Sequence, residues 1–342
     1  MLRGGLLTKD LPTKAAIVGI AGPTLLPDEA AAFRAHPPAG VILFARNIHD
    51  PPQLQALTEA LRRALPNGAV LMVDQEGGRV ARLRPPHWRA HPAAAVLGRL
   101  FTRSPAAGLR VAFLTGALIG LDCASAGFDV AAAPVLDLAM PDATAAIGDR
   151  AFIRDPRAVA RLGRAVAAGL LAAGVQPVGK HAPGHGRALV DSHLALPRVH
   201  TVDLRADLLP FASNADLPWM LTAHIVYAAW DPTLAATLSP AVVQGIIRRR
   251  LGFGGVLVTD DLAMQALSGT PAARATAALA AGCDIALYCA GDLAPTADLL
   301  ATVPALTPAA AARLAAARAL AAHRRRPLDA RALAAERDRL LA

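Results

Sequence analysis

Between positions 179 and 200 the chain reads GKHAPGHGRALVDSHLALPRVH, which holds four of its ten histidines: His181, His185, His193 and His200. Such a stretch can ligate a metal, move protons, or reflect loop composition alone. His181 and His185 are four apart but flank Ala-Pro-Gly, which is not helical. The i, i+4 geometry of helical zinc motifs is therefore lost, and no metal site is expected. Asp191 stands two residues before His193, close enough to orient an imidazole and stabilise its protonated form, as general acid/base catalysis requires. Lys180 opens the stretch. It is one of only three lysines, with Lys9 and Lys14, in a chain rich in arginine. An ammonium there is a compact point charge that a planar guanidinium does not replace.

These side chains need rigid elements to hold them. Eight short apolar runs recur along the chain: AAIVGIAG, GVILFAR, AVLMVDQEG, FDVAAAPVLDL, VQPVGKHAPG, PWMLTAHIVY, GGVLVTDD and CDIALYCAG. Most are continuous rather than alternating, as in strands buried on both faces of a parallel sheet. Helical patterns lie between them, and three begin Asp50-Pro51, Asp155-Pro156 and Ser239-Pro240, a cap followed by proline. Eight such repeats predict an α/β fold, a single-domain (β/α)8 TIM barrel over 1–342. An open doubly wound sheet is the alternative, but no Gly-rich dinucleotide fingerprint follows the first strand.

In a barrel of this kind chemistry gathers at the carboxyl ends of the strands. Those ends carry Arg46-Asn47, then Asp74-Gln75-Glu76 with Arg79 and Arg82 beyond, then Asp137 with Gly148-Asp149-Arg150 in its loop. They continue with Lys180-His181, His224 and Asp260-Asp261. Polar groups at the ends of buried strands are costly unless paired or used. A glycosidase would use them. It needs a carboxylate on one side of the sugar, a proton donor on the other, and charge-assisted partners for the hydroxyls. Asp260 suits the first role and the Asp191–His193 pair the second. Gly184 and Gly186 suggest a loop mobile enough to swing His193 in. Bracing roles are expected for Glu76, Asp261 and His185, and a surface position for His200. Asp137 and His224 stay open between bracing and touching the sugar. A metal-dependent barrel hydrolase and a non-catalytic sugar-binding barrel remain the competing functions.

Composition narrows the partners. The net charge is +9, but the arginines are scattered. The tight runs, Arg248–Arg250 and Arg324–Arg326, fall at helix ends, where cations complement the dipole. No nucleic-acid binding is expected. Cys123, Cys283 and Cys289 are odd in number and lack CxxC spacing, which fits buried thiols in a cytoplasmic protein. The first fourteen residues lack a leader's apolar core. The most apolar stretch, 111–136, is interrupted by Asp122 and Asp129, so no membrane span is expected. A monomer without cofactors is the expectation.

KHAPGHG…VDSHLALP resembles the KHFPGHG…DSH signature of the family 3 glycoside hydrolases, specifically the bacterial β-N-acetylglucosaminidases of the NagZ type. LFARN, MVDQEGGRVARLR, APVLDL, IGDRAF, TAHIVY…DPTLAATLSP and VTDDLAM resemble further family segments in family order. The resemblance implies a barrel enzyme that removes terminal β-linked N-acetylglucosamine from muropeptides in peptidoglycan recycling, through a covalent glycosyl-enzyme. It implies Asp260 as nucleophile, His193 as acid/base and Asp191 as its partner. It implies that Asp74, Arg82, Arg150, Lys180 and His181 hold the sugar. Two departures stand out. Ala182 replaces the usual Phe and is expected to loosen Lys180 and His181. Arg187 stands where Asp is common and is expected to add charge to the loop and alter substrate contacts.

Overall fold

The computed structural model describes residues 11–141 and 144–342, so the first ten residues of the expected domain, Lys9 among them, lie outside the described residues. All eight apolar runs form parallel strands, in the expected order. They are β1 Lys14–Gly19, β2 Pro38–Leu43, β3 Val70–Val73, β4 Val130–Ala131, β5 Gln176–Ala182, β6 Trp219–Thr222, β7 Val256–Val258 and β8 Ala286–Tyr288. Each pairs with its neighbour in sequence, and β8 pairs with β1. Between β7 and β8 the ring closes through one parallel bridge, Val258 with Ile285, and Thr259 N–H donates to the Ile285 carbonyl at 3.1 Å. The result is a (β/α)8 TIM barrel.

The strand period of two decides which residues meet at the top of the barrel. Met72, Val178 and Val258 all pack in the barrel interior. Two residues further on, past the last apolar layer, come Asp74, Lys180 and Asp260. The same alternation that fills the core therefore aims these three charges at the barrel mouth. β4 is shorter than its apolar run because Pro134 has no N–H for the ladder. The chain rejoins the sheet at Val135, which bridges Lys180, and Leu136 N–H donates to the Lys180 carbonyl at 2.7 Å. That return carries Asp137 to the strand end beside β5.

The helices begin where their caps predict. Asp50 accepts from Gln53 N–H at 2.9 Å, Asp155 from Arg157 N–H at 3.0 Å, and Ser239 Oγ from Val242 N–H at 3.2 Å. The helix Pro105–Ser125 is long and apolar enough by length and composition to cross a membrane, although Asp122 lies within it. Here it is a packed layer instead. A Cβ on Gly116 would lie 2.1 Å from the Val166 carbonyl oxygen of helix α5, Pro156–Ala172, and one on Gly169 2.2 Å from that of Phe113. The two backbones touch, and two-thirds of the apolar window is buried.

Candidate active site

The mouth of the barrel holds a cavity of about 360 Å³, near the lower end of the ~300–1,000 Å³ usual for small-molecule sites. Its floor is the last interior layer, Ile42, Met72, Leu221 and Leu287. Its walls include Asp74, Arg82, Arg150, Lys180, His181, Asp191, His193 and Asp260. Every site residue read from the sequence thus lines one cavity.

Lys180 is the hub of the gripping side. Its Nζ lies 2.9 Å from Asp74 Oδ1 and 2.6 Å from Glu76 Oε1. An ammonium has three donors, so one is left for a ligand. Arg82 reaches the other Asp74 oxygen at 3.3 Å, and its guanidinium stands over the Phe44 ring. Arg150 makes a forked pair with Glu76, at 2.9 and 2.8 Å. Burial alone would push the Asp74 and Glu76 carboxyls up, but Lys180 with Arg82 for Asp74, and with Arg150 for Glu76, outweighs it. Both end below the usual range, Glu76 at about 2. Burial likewise opposes the Lys180 charge, yet Asp74 and Glu76 raise its pKa above the ordinary value. The cluster is ionised throughout.

Asp137 settles as a brace. Its Oδ2 lies 2.7 Å from His181 Nδ1, and its oxygens also accept from the His181 and His185 backbone N–H groups. With Nδ1–H given to Asp137, His181 presents Nε2 to the site, 3.3 Å from an Arg150 nitrogen. His181 Nε2 accepts from the guanidinium, and a sugar hydroxyl can share it.

Asp260 follows β7. Burial would raise its carboxyl, but His181, His224, the Asp261 N–H and Lys180 bring it net below the ordinary value. It is an ionised carboxylate at the cavity wall. Asp261, its neighbour, accepts from Ala263 and Cys289 N–H, both at 2.9 Å, and is the expected brace. His224 is fully buried between Thr237 Oγ1 and the Asp261 carbonyl, at 2.8 and 3.0 Å, so it bonds internally. Arg46 and Asn47 bind the Ile20, Gly22 and Cys289 carbonyls. They hold loops together and do not line the cavity.

In the loop after β5, which also lines the cavity, His193 Nδ1 lies 2.7 Å from Asp191 Oδ1, which also accepts the His193 N–H at 2.9 Å. Among the described residues His193 Nε2 has no hydrogen-bond partner, and the side chain is 64% exposed. The glycines before this pair do not act as hinges. Gly184 and Gly186 are buried, and a Cβ on Gly186 would meet the Leu138 carbonyl oxygen at 2.4 Å. They permit close packing, and the exposed part of the loop begins only at Leu189.

Both departures prove structural. Ala182 is buried among Leu208, Phe211 and Met220; it sits on the outer side of β5, so Lys180 is not loosened. Arg187 pairs with the buried Asp207 of helix α6, Arg205–Ala212, at 2.8 Å, and does not line the cavity. The sequence reading missed the double grip of Glu76, the lining side chains Phe44 and Met264, and Cys289. That thiol is buried, as are Cys123 and Cys283, but it also lines the cavity. Strand alternation from Leu287 would have found it. His200 is exposed, as expected.

An ionised carboxylate just past a barrel strand and a histidine–carboxylate pair line one polar cavity, the groups a glycosidase needs for attack and proton transfer. Residues 27–321 match the glycosyl hydrolase family 3 N-terminal domain, and the chain belongs to that family. The β-hexosaminidase of Bordetella pertussis is 42% identical over 291 residues, covering 83% of this chain and 82% of the relative. NagZ from Neisseria gonorrhoeae, solved in complex with zinc ion, is similar with a TM-score of 0.83 and 31% identity, over 97% of this chain and 99% of that one. The same NagZ in complex with N-trifluoroacetyl-D-glucosamine gives 0.77 and 32%, over 91% and 99%.

Proposed function

We propose that this β-N-acetylhexosaminidase removes terminal, non-reducing β-linked N-acetylglucosamine from peptidoglycan fragments, the GlcNAc-1,6-anhydroMurNAc muropeptides of cell-wall recycling. The observation that carries the reading is that Asp260 and the Asp191–His193 pair share one cavity with the Lys180–Asp74–Arg82 cluster. Asp260 attacks the anomeric carbon as the bond to the aglycone oxygen breaks. His193 gives that oxygen its Nε2 proton. Water then attacks the anomeric carbon of the glycosyl-enzyme, His193 takes a proton from that water, and Asp260 leaves as a carboxylate. Asp191 holds the Nδ1 proton and stabilises the imidazolium. Lys180, Asp74, Arg82, Arg150 and His181 hold the sugar.

A cytoplasmic monomer fits this role; the three free, buried thiols suit a reducing compartment. The test is to trap the intermediate with a fluorinated N-acetylglucosaminide and map it. Label on the peptide carrying Asp260 supports the double displacement, and label elsewhere or none overturns it. Product analysis on a defined GlcNAc-anhydroMurNAc substrate, with and without phosphate, tests the aglycone and the acceptor.

A further inference from the structure

His185 and Ser192 are the least explained side chains in the cavity wall. Both are 2% exposed. His185 Nε2 lies 3.0 Å from Ser192 Oγ, while His185 Nδ1 is buried with no hydrogen-bond partner among the described residues. An orphaned buried N–H is rarer in proteins than an unsatisfied acceptor. The favoured tautomer therefore carries its proton on Nε2 and donates it to Ser192. Burial, with His181 nearby, holds this imidazole neutral, at about 4.

Ser192 stands between Asp191 and His193. The segment around it has little apolar anchorage, since Leu189, Val190 and Leu194 are 67%, 45% and 68% exposed. Segments without buried apolar contacts open most easily. What holds this one is polar. Gln265 N–H reaches the His193 carbonyl at a long 3.4 Å. Among the described residues, the side-chain hydrogen bond tying this exposed segment to the barrel is His185–Ser192. At its other end His185 is fixed, because its own N–H donates to Asp137 at 2.6 Å.

We propose that the His185–Ser192 hydrogen bond is a latch that positions the Asp191–His193 proton donor over the sugar, with His185 and Ser192 as positioning residues. The inference rests on the reading of His193 as the acid. The latch connects the donor's loop to the brace Asp137, which also orients His181, so one buried carboxylate sets the geometry of both sides of the site. The Ser192 hydroxyl, accepting from His185, keeps its own proton to donate into the cavity.

The test compares His185→Asn, His185→Gln and Ser192→Ala on two substrates: an aryl N-acetylglucosaminide with an activated leaving group, and an alkyl one that needs protonation. A glutamine amide reaches where Nε2 was, and an asparagine amide does not. Displacing a catalytic group by about 1 Å costs roughly 10²-fold. The Asn and Ala variants should therefore lose roughly 10- to 100-fold in kcat on the alkyl glycoside, lose far less on the aryl one, and keep KM. The Gln variant should recover most of the loss, and adding Ser192→Ala to His185→Asn should cost little more. Equal losses on both substrates, no recovery by Gln, or additive losses would overturn the latch. His193→Ala is measured alongside. If it too fails to discriminate between the substrates, the acid assignment is what has failed.

Discussion

Lys180 Nζ and Glu76 Oε1 lie 2.6 Å apart, with 3% and 7% of their side chains exposed. Glu76 also holds Arg150 through both oxygens. One carboxylate that does not line the cavity therefore sets the positions of two cations that do. Removing one member of a buried ion pair typically costs about 3–5 kcal/mol, because the partner charge is stranded. Glu76→Gln should destabilise the protein by about that much and raise KM, read by urea unfolding and steady-state kinetics.

The same pair predicts acid sensitivity. The Glu76 carboxyl is depressed to about 2 from its ordinary 4.5. A depressed carboxyl contributes stability that is fully present above its unfolded value and lost as pH falls through its folded one. Unfolding free energy should therefore drop between pH 4.5 and about 2, and Glu76→Gln should flatten that slope.

Asp260 is held below the ordinary aspartate value of 3.8. The acid limb of kcat/KM that belongs to the nucleophile should then fall below that pH. Asp260→Ala should abolish turnover on aryl and alkyl substrates alike, with an unchanged circular-dichroism spectrum. Residual turnover near wild type would remove Asp260 from the chemistry.

Arg187 was expected to touch substrate and instead pairs with Asp207, whose side chain is 3% exposed. Burial already raises that carboxyl, against the pull of Arg187. Arg187→Ala should cost about 1–3 kcal/mol by leaving Asp207 unsatisfied and should leave KM unchanged.

Gly186 tests the loop from the other side. Its missing Cβ faces a backbone carbonyl at 2.4 Å, which has no rotamer to yield. Gly186→Ala should destabilise by about 1–3 kcal/mol and shift the following loop, lowering kcat more than it raises KM. A harmless alanine would restore the hinge reading.

The barrel was legible because parallel strands buried on both faces read as apolar runs, and because alternation carried Met72 to Asp74, Val178 to Lys180 and Val258 to Asp260. Arg82, Arg150, Asp191 and His193 reach the same cavity from the loops beyond those strands. What stayed illegible depends on packing between elements distant in sequence. Nothing near Arg187 announces Asp207 twenty residues on. Gly186 looked like freedom because its neighbour Leu138 lies on another loop. Glu76 looked local because Arg150 is 74 residues away. Side chains that face solvent in the linear chain acquire their meaning from the surface that arrives opposite them.

Asp74, Lys180 and Asp260 stand at strand ends, while His193, the proposed proton donor, hangs on a loop with three apolar side chains in water. Under the proposed roles, sugar recognition and proton donation rest on different elements, so they should be separable. A neutral sugar mimic needs only the barrel and should bind equally to protein with the loop displaced. A mimic that places a hydrogen-bond acceptor where the leaving oxygen stands must also recruit the loop, so its residence time should report loop closure rather than sugar fit. Two inhibitor classes would read two different parts of the same small cavity.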